Sequence, residues 1–173
     1  MGQVDNSEKI MYNNFRKEDA VQHLRKCVPK IEKEALPLIK VIAGKKGSGK
    51  TKRIIDLANT ASKDSRHDIV FIDDDNRYMY DLRHEVRFIN AGEYAIANDQ
   101  MFMGLILGVV AQNFDLGLIF IDAFKKLIKA ELSSTEWMFD RLAQISEKNN
   151  VDFVISISED PADLPEFIAK YVV

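Results

Sequence analysis

Eight consecutive residues, Gly44-Lys45-Lys46-Gly47-Ser48-Gly49-Lys50-Thr51, have the types and spacing to hold a chain of phosphates. They match the Walker A pattern G-x-x-x-x-G-K-[ST] at every position. Glycines accept backbone angles that let successive amide N–H groups converge where phosphate oxygens can sit. A helix starting near Lys50 would add the positive end of its dipole. Lys50 would bring a cation to the outer phosphates, and the Thr51 hydroxyl would ligate magnesium. Lys45 and Lys46 either touch phosphate or stand in solvent at the loop tip. Such a site needs a carboxylate to hold the metal's water shell. Asp122 is the candidate, because Leu118-Ile119-Phe120-Ile121 closing on an aspartate has the Walker B form. A second acidic group, Asp73-Asp74-Asp75, follows Phe71-Ile72.

These residues must be placed by strands and helices. Ile39 to Ala43 reads as a buried strand leading into the loop, and Thr51 to Ser62 as the helix leading out, with Ile54, Ile55, Leu57 and Ala58 on it. Further strands are expected at Ile69 to Asp73, Val86 to Asn90, Leu116 to Asp122 and Asp152 to Ser158. Between them stand a short helical segment at Asn76 to Leu82 and a strongly apolar helix at Asp99 to Asn113. Ser133-Ser134-Thr135-Glu136 fits a capping box that opens a helix reaching about Lys148. Pro161 begins a last short helix. Alternating strands and helices imply a mostly parallel five-stranded sheet covered on two sides, an α/β/α three-layer fold. Within Met101 to Ala111 no residue is charged, and Gly104 and Gly108 stand four apart. That run is expected to be a buried central helix or a subunit interface, being too short to span a bilayer.

Ahead of this core, apolar positions Val21, Leu24, Val28, Ile31 and Ala35 mark one face of an amphipathic helix over 15–36, with a kink or a break at Pro29. It is expected to cover an edge or face of the main sheet. Residues Met1 to Lys9 are polar and lack the apolar core of a secretory signal, and 1–14 are expected to be flexible. The expected organisation is one nucleotide-binding domain over 15–173, with its core at 37–173.

At this point the chain resembles the RecA-like ATPases, a branch of the P-loop NTPases, over roughly Ile39 to Ser158. The resemblance rests on the Walker A loop, on Phe71-Ile72-Asp73-Asp74-Asp75 and on Asp115 to Asp122. It implies a RecA-like core that binds ATP with Mg2+. It also puts Asp75 where that family has the carboxylate that orients the attacking water, with Asp74 as the alternate. Ser156 and Ser158 fall where relatives keep a polar sensor of the outer phosphate. Ala123 replaces the glutamate that many ATPases carry beside the Walker B aspartate. Arg77, Arg83 and Arg141 are candidates to contact a neighbour's nucleotide. Some small bacterial ATP-binding proteins also look similar in the loop and the aspartate-rich strand end.

Composition narrows the function classes. Hydrophobic residues make up 46% and charged residues 29% of the 173, which fits a soluble globular protein. Cys27 is the single cysteine, so a disulfide framework and a cysteine-rich zinc site are excluded and a cytoplasmic setting is expected. His23, His67 and His84 have no metal-ligand spacing. Up to Arg53 there are 13 Lys and Arg against 6 Asp and Glu, although the net charge is −3. The phosphate loop and a solvated helix account for that bias, so a nucleotide is the expected partner and nucleic acid is not. The leading expectation is ATP hydrolysis, alone, as a homo-oligomer or with a protein partner. A small-molecule or nucleoside kinase and a nucleotide-binding switch without turnover are the alternatives.

Overall fold

The computed structural model describes residues Ile39–Val173. The expected N-terminal helix over 15–36, its kink or break at Pro29 and Cys27 lie outside the described residues. Five strands form one parallel sheet: β1 (Ile39–Ala43), β2 (Asp68–Asp73), β3 (Val86–Asn90), β4 (Leu116–Ile121) and β5 (Asp152–Ile157). Their spatial order is β1-β5-β4-β2-β3. The helices are α1 (Lys50–Asp64), α2 (Asp99–Gln112), α3 (Phe124–Ile128), α4 (Glu136–Asn149) and α5 (Glu166–Ala169). This is the α/β architecture read from the sequence, with the strand bounds shifted by one residue at most.

The sheet divides the core into two layers because successive strand residues point to opposite faces. Val70, Ile72, Ile119, Ile121, Phe153 and Ile155 pack under α2, α3, α4 and α5. Ile69, Phe71, Phe120, Ile42 and Val154 face α1, which contributes Ile54, Ile55 and Ala58. Leu57 of α1 is turned outward and exposed. Phe139 anchors the larger layer, its ring 5.8 Å from Phe124, 5.9 Å from Phe167 and 6.0 Å from Tyr171. The chain's last residues run along the outer side of β1. There Val41 N–H donates to the Tyr171 carbonyl at 2.8 Å, and Val173 N–H donates to the Val41 carbonyl at 3.0 Å.

Four local expectations are corrected. The capping box does not form: Leu132–Ser134 is a 3-10 turn, and α4 begins after Thr135 with no side-chain cap. Glu136 is therefore the first helical residue, not the third, and cannot reach back to Ser133. The Thr135 hydroxyl donates instead to the Leu132 carbonyl at 2.7 Å. The segment Asn76 to Leu82 holds one 3-10 turn, Met79–Asp81, rather than a helix. Asn59 of α1 clamps it, donating to the Asp81 carbonyl and accepting from Arg83 N–H, both at 2.8 Å. Helix α2 is buried on one face only, through Phe102, Met103, Ile106 and Val109. Gly104 and Gly108 lie on its open side, where an added Cβ would meet nothing within 4 Å. Finally, α3 follows Asp122 directly, where no helix was expected.

Candidate functional site

The loop between β1 and α1 is built on its glycines. Gly47 and Gly49 have φ of 85° and 84°, in the left-handed region that side-chain-bearing residues avoid. A Cβ on Gly44 would stand 2.6 Å from the Ser48 hydroxyl, which would have to turn away to make room for it. Lys50, only 8% exposed, turns back and donates to the Lys45 carbonyl at 2.9 Å. Its charge is thus held inside the loop, where a phosphate would sit. Lys45 points elsewhere, to an ion pair with Asp160 at 3.2 Å.

A cavity of about 920 Å3 opens over this loop. Lys46, Gly47, Gly49, Lys50 and Thr51 line one side, and Asp73, Asp74, Asp122, Lys125, Lys126 and Ser158 line the other. Strand pairing brings the two acidic positions together. Ile72 pairs with Ile121, and Asp122 N–H donates to the Ile72 carbonyl at 2.9 Å. Asp122 is nearly buried and its Oδ1 is fixed, accepting from Ala123 N–H at 2.9 Å and from the Ser156 hydroxyl. Ser156 comes from β5, which lies between β4 and β1. Ser156 thus braces Asp122, while Ser158 lines the cavity. Ala123 itself has φ 51°, a conformation that costs a non-glycine residue about 1 kcal/mol. That turn starts α3 and carries Lys125 and Lys126 to the cavity wall.

The three adjacent aspartates have separate fates. Asp73 is 3% exposed, and burial pushes its carboxyl up to about 7. The Asp74 N–H bond opposes that rise, and the charges of Asp122 and Asp74 add to it. Asp74 pairs with Lys126 at 2.9 Å. Asp75 does not line the cavity. Arg77 grips it through Nε at 2.8 Å and through its backbone N–H at 2.9 Å, holding the carboxyl below its ordinary range. Arg77 lines this chain's own cavity, Arg83 pairs with Glu85 at 2.7 Å, and Arg141 donates to Gln144 at 3.1 Å.

Among the described residues no group of three or more His, Cys, Asp or Glu is arranged to hold a metal alone. Magnesium fits such a site, because it keeps waters and takes one or two protein oxygens beside substrate phosphates. Thr51 and Asp122, facing one cavity, are of the right chemistry.

No protein-family model matches the sequence, and no curated protein matches it. Solved structures resemble it in fold. The crystal structure of the flagellar accessory protein FlaH from Methanocaldococcus jannaschii aligns with a TM-score of 0.51 at 14% identity. The alignment covers 76% of this chain and 65% of FlaH. The two share a fold. Domain III of the replication initiation protein DnaA from Thermotoga maritima gives 0.45 at 13% identity, over 97% of this chain and 60% of that one. The chain therefore spans less than two thirds of either protein's length. What the likeness to FlaH shows is a shared α/β fold, a five-stranded parallel sheet covered by helices. Among the described residues no helix is long and apolar enough to cross a membrane.

Proposed function

We propose that this chain binds ATP with Mg2+ and hydrolyses it by in-line attack of water on the terminal phosphate. The observation that carries the reading is that Lys50 and Thr51 share one cavity with Asp122, beneath a glycine loop shaped for phosphate. Loop amides and the start of α1 would cradle the inner phosphates. Lys50 would leave the Lys45 carbonyl for the outer phosphates and offset charge that develops as the bond to the leaving oxygen breaks. Magnesium, when bound through Thr51 and Asp122, would neutralise phosphate charge. Ser156 and Ala123 N–H fix one oxygen of Asp122 and so orient the other. Asp73 is the carboxylate we assign to the attacking water, because it is buried and lines the cavity. Asp75 could serve, as the family resemblance implies, only by leaving Arg77.

A specific observation favours a second reading, phosphoryl transfer to a small hydroxyl-bearing acceptor. Away from the loop the cavity is also lined by Asn59, Arg77, Tyr78 and Asp81, polar side chains of the kind that hold a hydroxyl-bearing acceptor. Phosphate release measured with and without small-molecule acceptors separates the two. Hydrolysis gives inorganic phosphate at a rate indifferent to acceptors. Transfer gives nucleoside diphosphate without matching phosphate. Neither product, despite tight binding, identifies a nucleotide switch and removes the enzymatic proposal.

A further inference from the structure

We propose that Lys126 is a ligand of the terminal phosphate, parked on Asp74 until a triphosphate arrives, and so distinguishes tri- from diphosphates. This rests on the nucleotide reading above and concerns the same cavity. In a loop of this pattern Lys50 would reach the outer phosphates, and the adjacent Thr51 hydroxyl would help to hold magnesium. The terminal phosphate therefore lies toward Asp122, and the nucleoside leaves in the other direction.

Two lysines stand at that end, two and three residues along the turn from Ala123, and their surroundings differ. Lys125 binds Glu159 at 2.7 Å, and the neighbouring Asp160 binds Lys45 at 3.2 Å. Those pairs tie the segment after β5 to α3 and to the phosphate loop. Lys126 reaches across to the residue that follows β2, where both Asp74 oxygens accept from it at 2.9 and 3.3 Å. Its side chain is 61% exposed, so the pair is weak enough to exchange. Asp73, Asp74 and Asp122 all line the cavity where the terminal phosphate would enter. A doubly charged phosphate entering there needs a cation besides Lys50 and the metal. It also outbids a single carboxylate for an ammonium group. A diphosphate does not reach this position and leaves Lys126 on Asp74.

The two partners should then respond in opposite directions. Titrations of Mg-ATP and Mg-ADP on the full chain compare the parent with Lys126→Met, Lys126→Arg and Asp74→Asn. Lys126→Met is expected to weaken ATP on the order of tenfold, the scale of one charge-assisted hydrogen bond, with ADP unchanged. Lys126→Arg keeps the preference for ATP. Asp74→Asn removes the competitor and tightens ATP several-fold, again sparing ADP. A pair that merely braces β2 against α3 is broken equally by either change, so parallel shifts in Asp74→Asn and Lys126→Met overturn the assignment. Equal losses for ATP and ADP in Lys126→Met also overturn it. A parent that binds neither nucleotide overturns the nucleotide reading and this inference together. Binding abolished by Lys50→Ala, with the ATP-to-ADP ratio intact in Lys126→Met, overturns this inference alone.

Discussion

Asp73→Asn should stabilise the protein, and more so as the pH rises. Asp73 is buried beside Asp122 and Asp74, and its carboxyl stands at about 7 against an ordinary 3.8. The unfolded chain releases this proton near the ordinary value, while the folded chain holds it until near neutrality. Between the two, the native state binds more protons, so raising the pH works against folding. The stability present below the ordinary value is lost as the pH climbs through 7. At about 1.36 kcal/mol per pH unit the interval integrates to about 4 kcal/mol. Asp122 and Asp74 share the field, so about 2 to 4 kcal/mol is expected for Asp73 itself. Asparagine cannot ionise, yet its carbonyl can still accept the Asp74 N–H that Asp73 Oδ1 accepts at 2.7 Å. The assay is urea unfolding of parent and variant, free of nucleotide and divalent metal, from about pH 5 to about pH 8.5. The variant's advantage should open with rising pH and level off above about 8. A gap that stays constant across the range, or a parent that gains on the variant as pH rises, would mean that Asp73 does not hold its proton to near neutrality.

Asp122→Asn should retain the fold, because an amide oxygen can still accept from Ala123 N–H and Ser156, but should lose the magnesium dependence of ATP binding. Titration with and without a chelator checks this, and an undiminished magnesium effect would count against Asp122. For turnover, Asp73→Asn should lose a factor on the order of 100, typical of a general base. Asp75→Asn should change it little, because Arg77 already engages that carboxylate. Single-turnover phosphate release from the two variants decides between them. In the core, Phe139→Ala should cost about 3 to 5 kcal/mol, measured by urea midpoint, because the ring fills space among Phe124, Phe167 and Tyr171.

The glycine turn between β1 and α1 and the five strands were legible because both are local signals. The loop is a fixed string with a physical task at each position, and each strand is a short apolar run between polar breaks. Residues that act through the sheet were not legible in the same way. Ser156 is an ordinary strand-end serine until the pairing of Ile121 with Ile155 sets it beside Asp122. The division of labour among Asp73, Asp74 and Asp75 depends on Arg77 and Lys126, one near in sequence and one far. Helix α3 hides because it begins with an alanine at positive φ, which no propensity argument would choose. The capping box misled because its pattern was present but its register was not: the 3-10 turn Leu132–Ser134 takes the first two serines out of reach of α4.

The central claim is that the loop from Gly44 to Thr51 holds a triphosphate, and one titration tests it most directly. A fluorescent ATP analogue is titrated, with magnesium present, into the parent and into Lys50→Ala, with circular dichroism to confirm that both are folded. Lys50 touches no core residue by hydrogen bond, only the loop's own Lys45 carbonyl and Ser48 hydroxyl. The parent should bind saturably, with unlabelled ATP competing the analogue away, and the folded variant should lose most of that affinity. Equal affinity in parent and variant, or no competition by ATP, would contradict it.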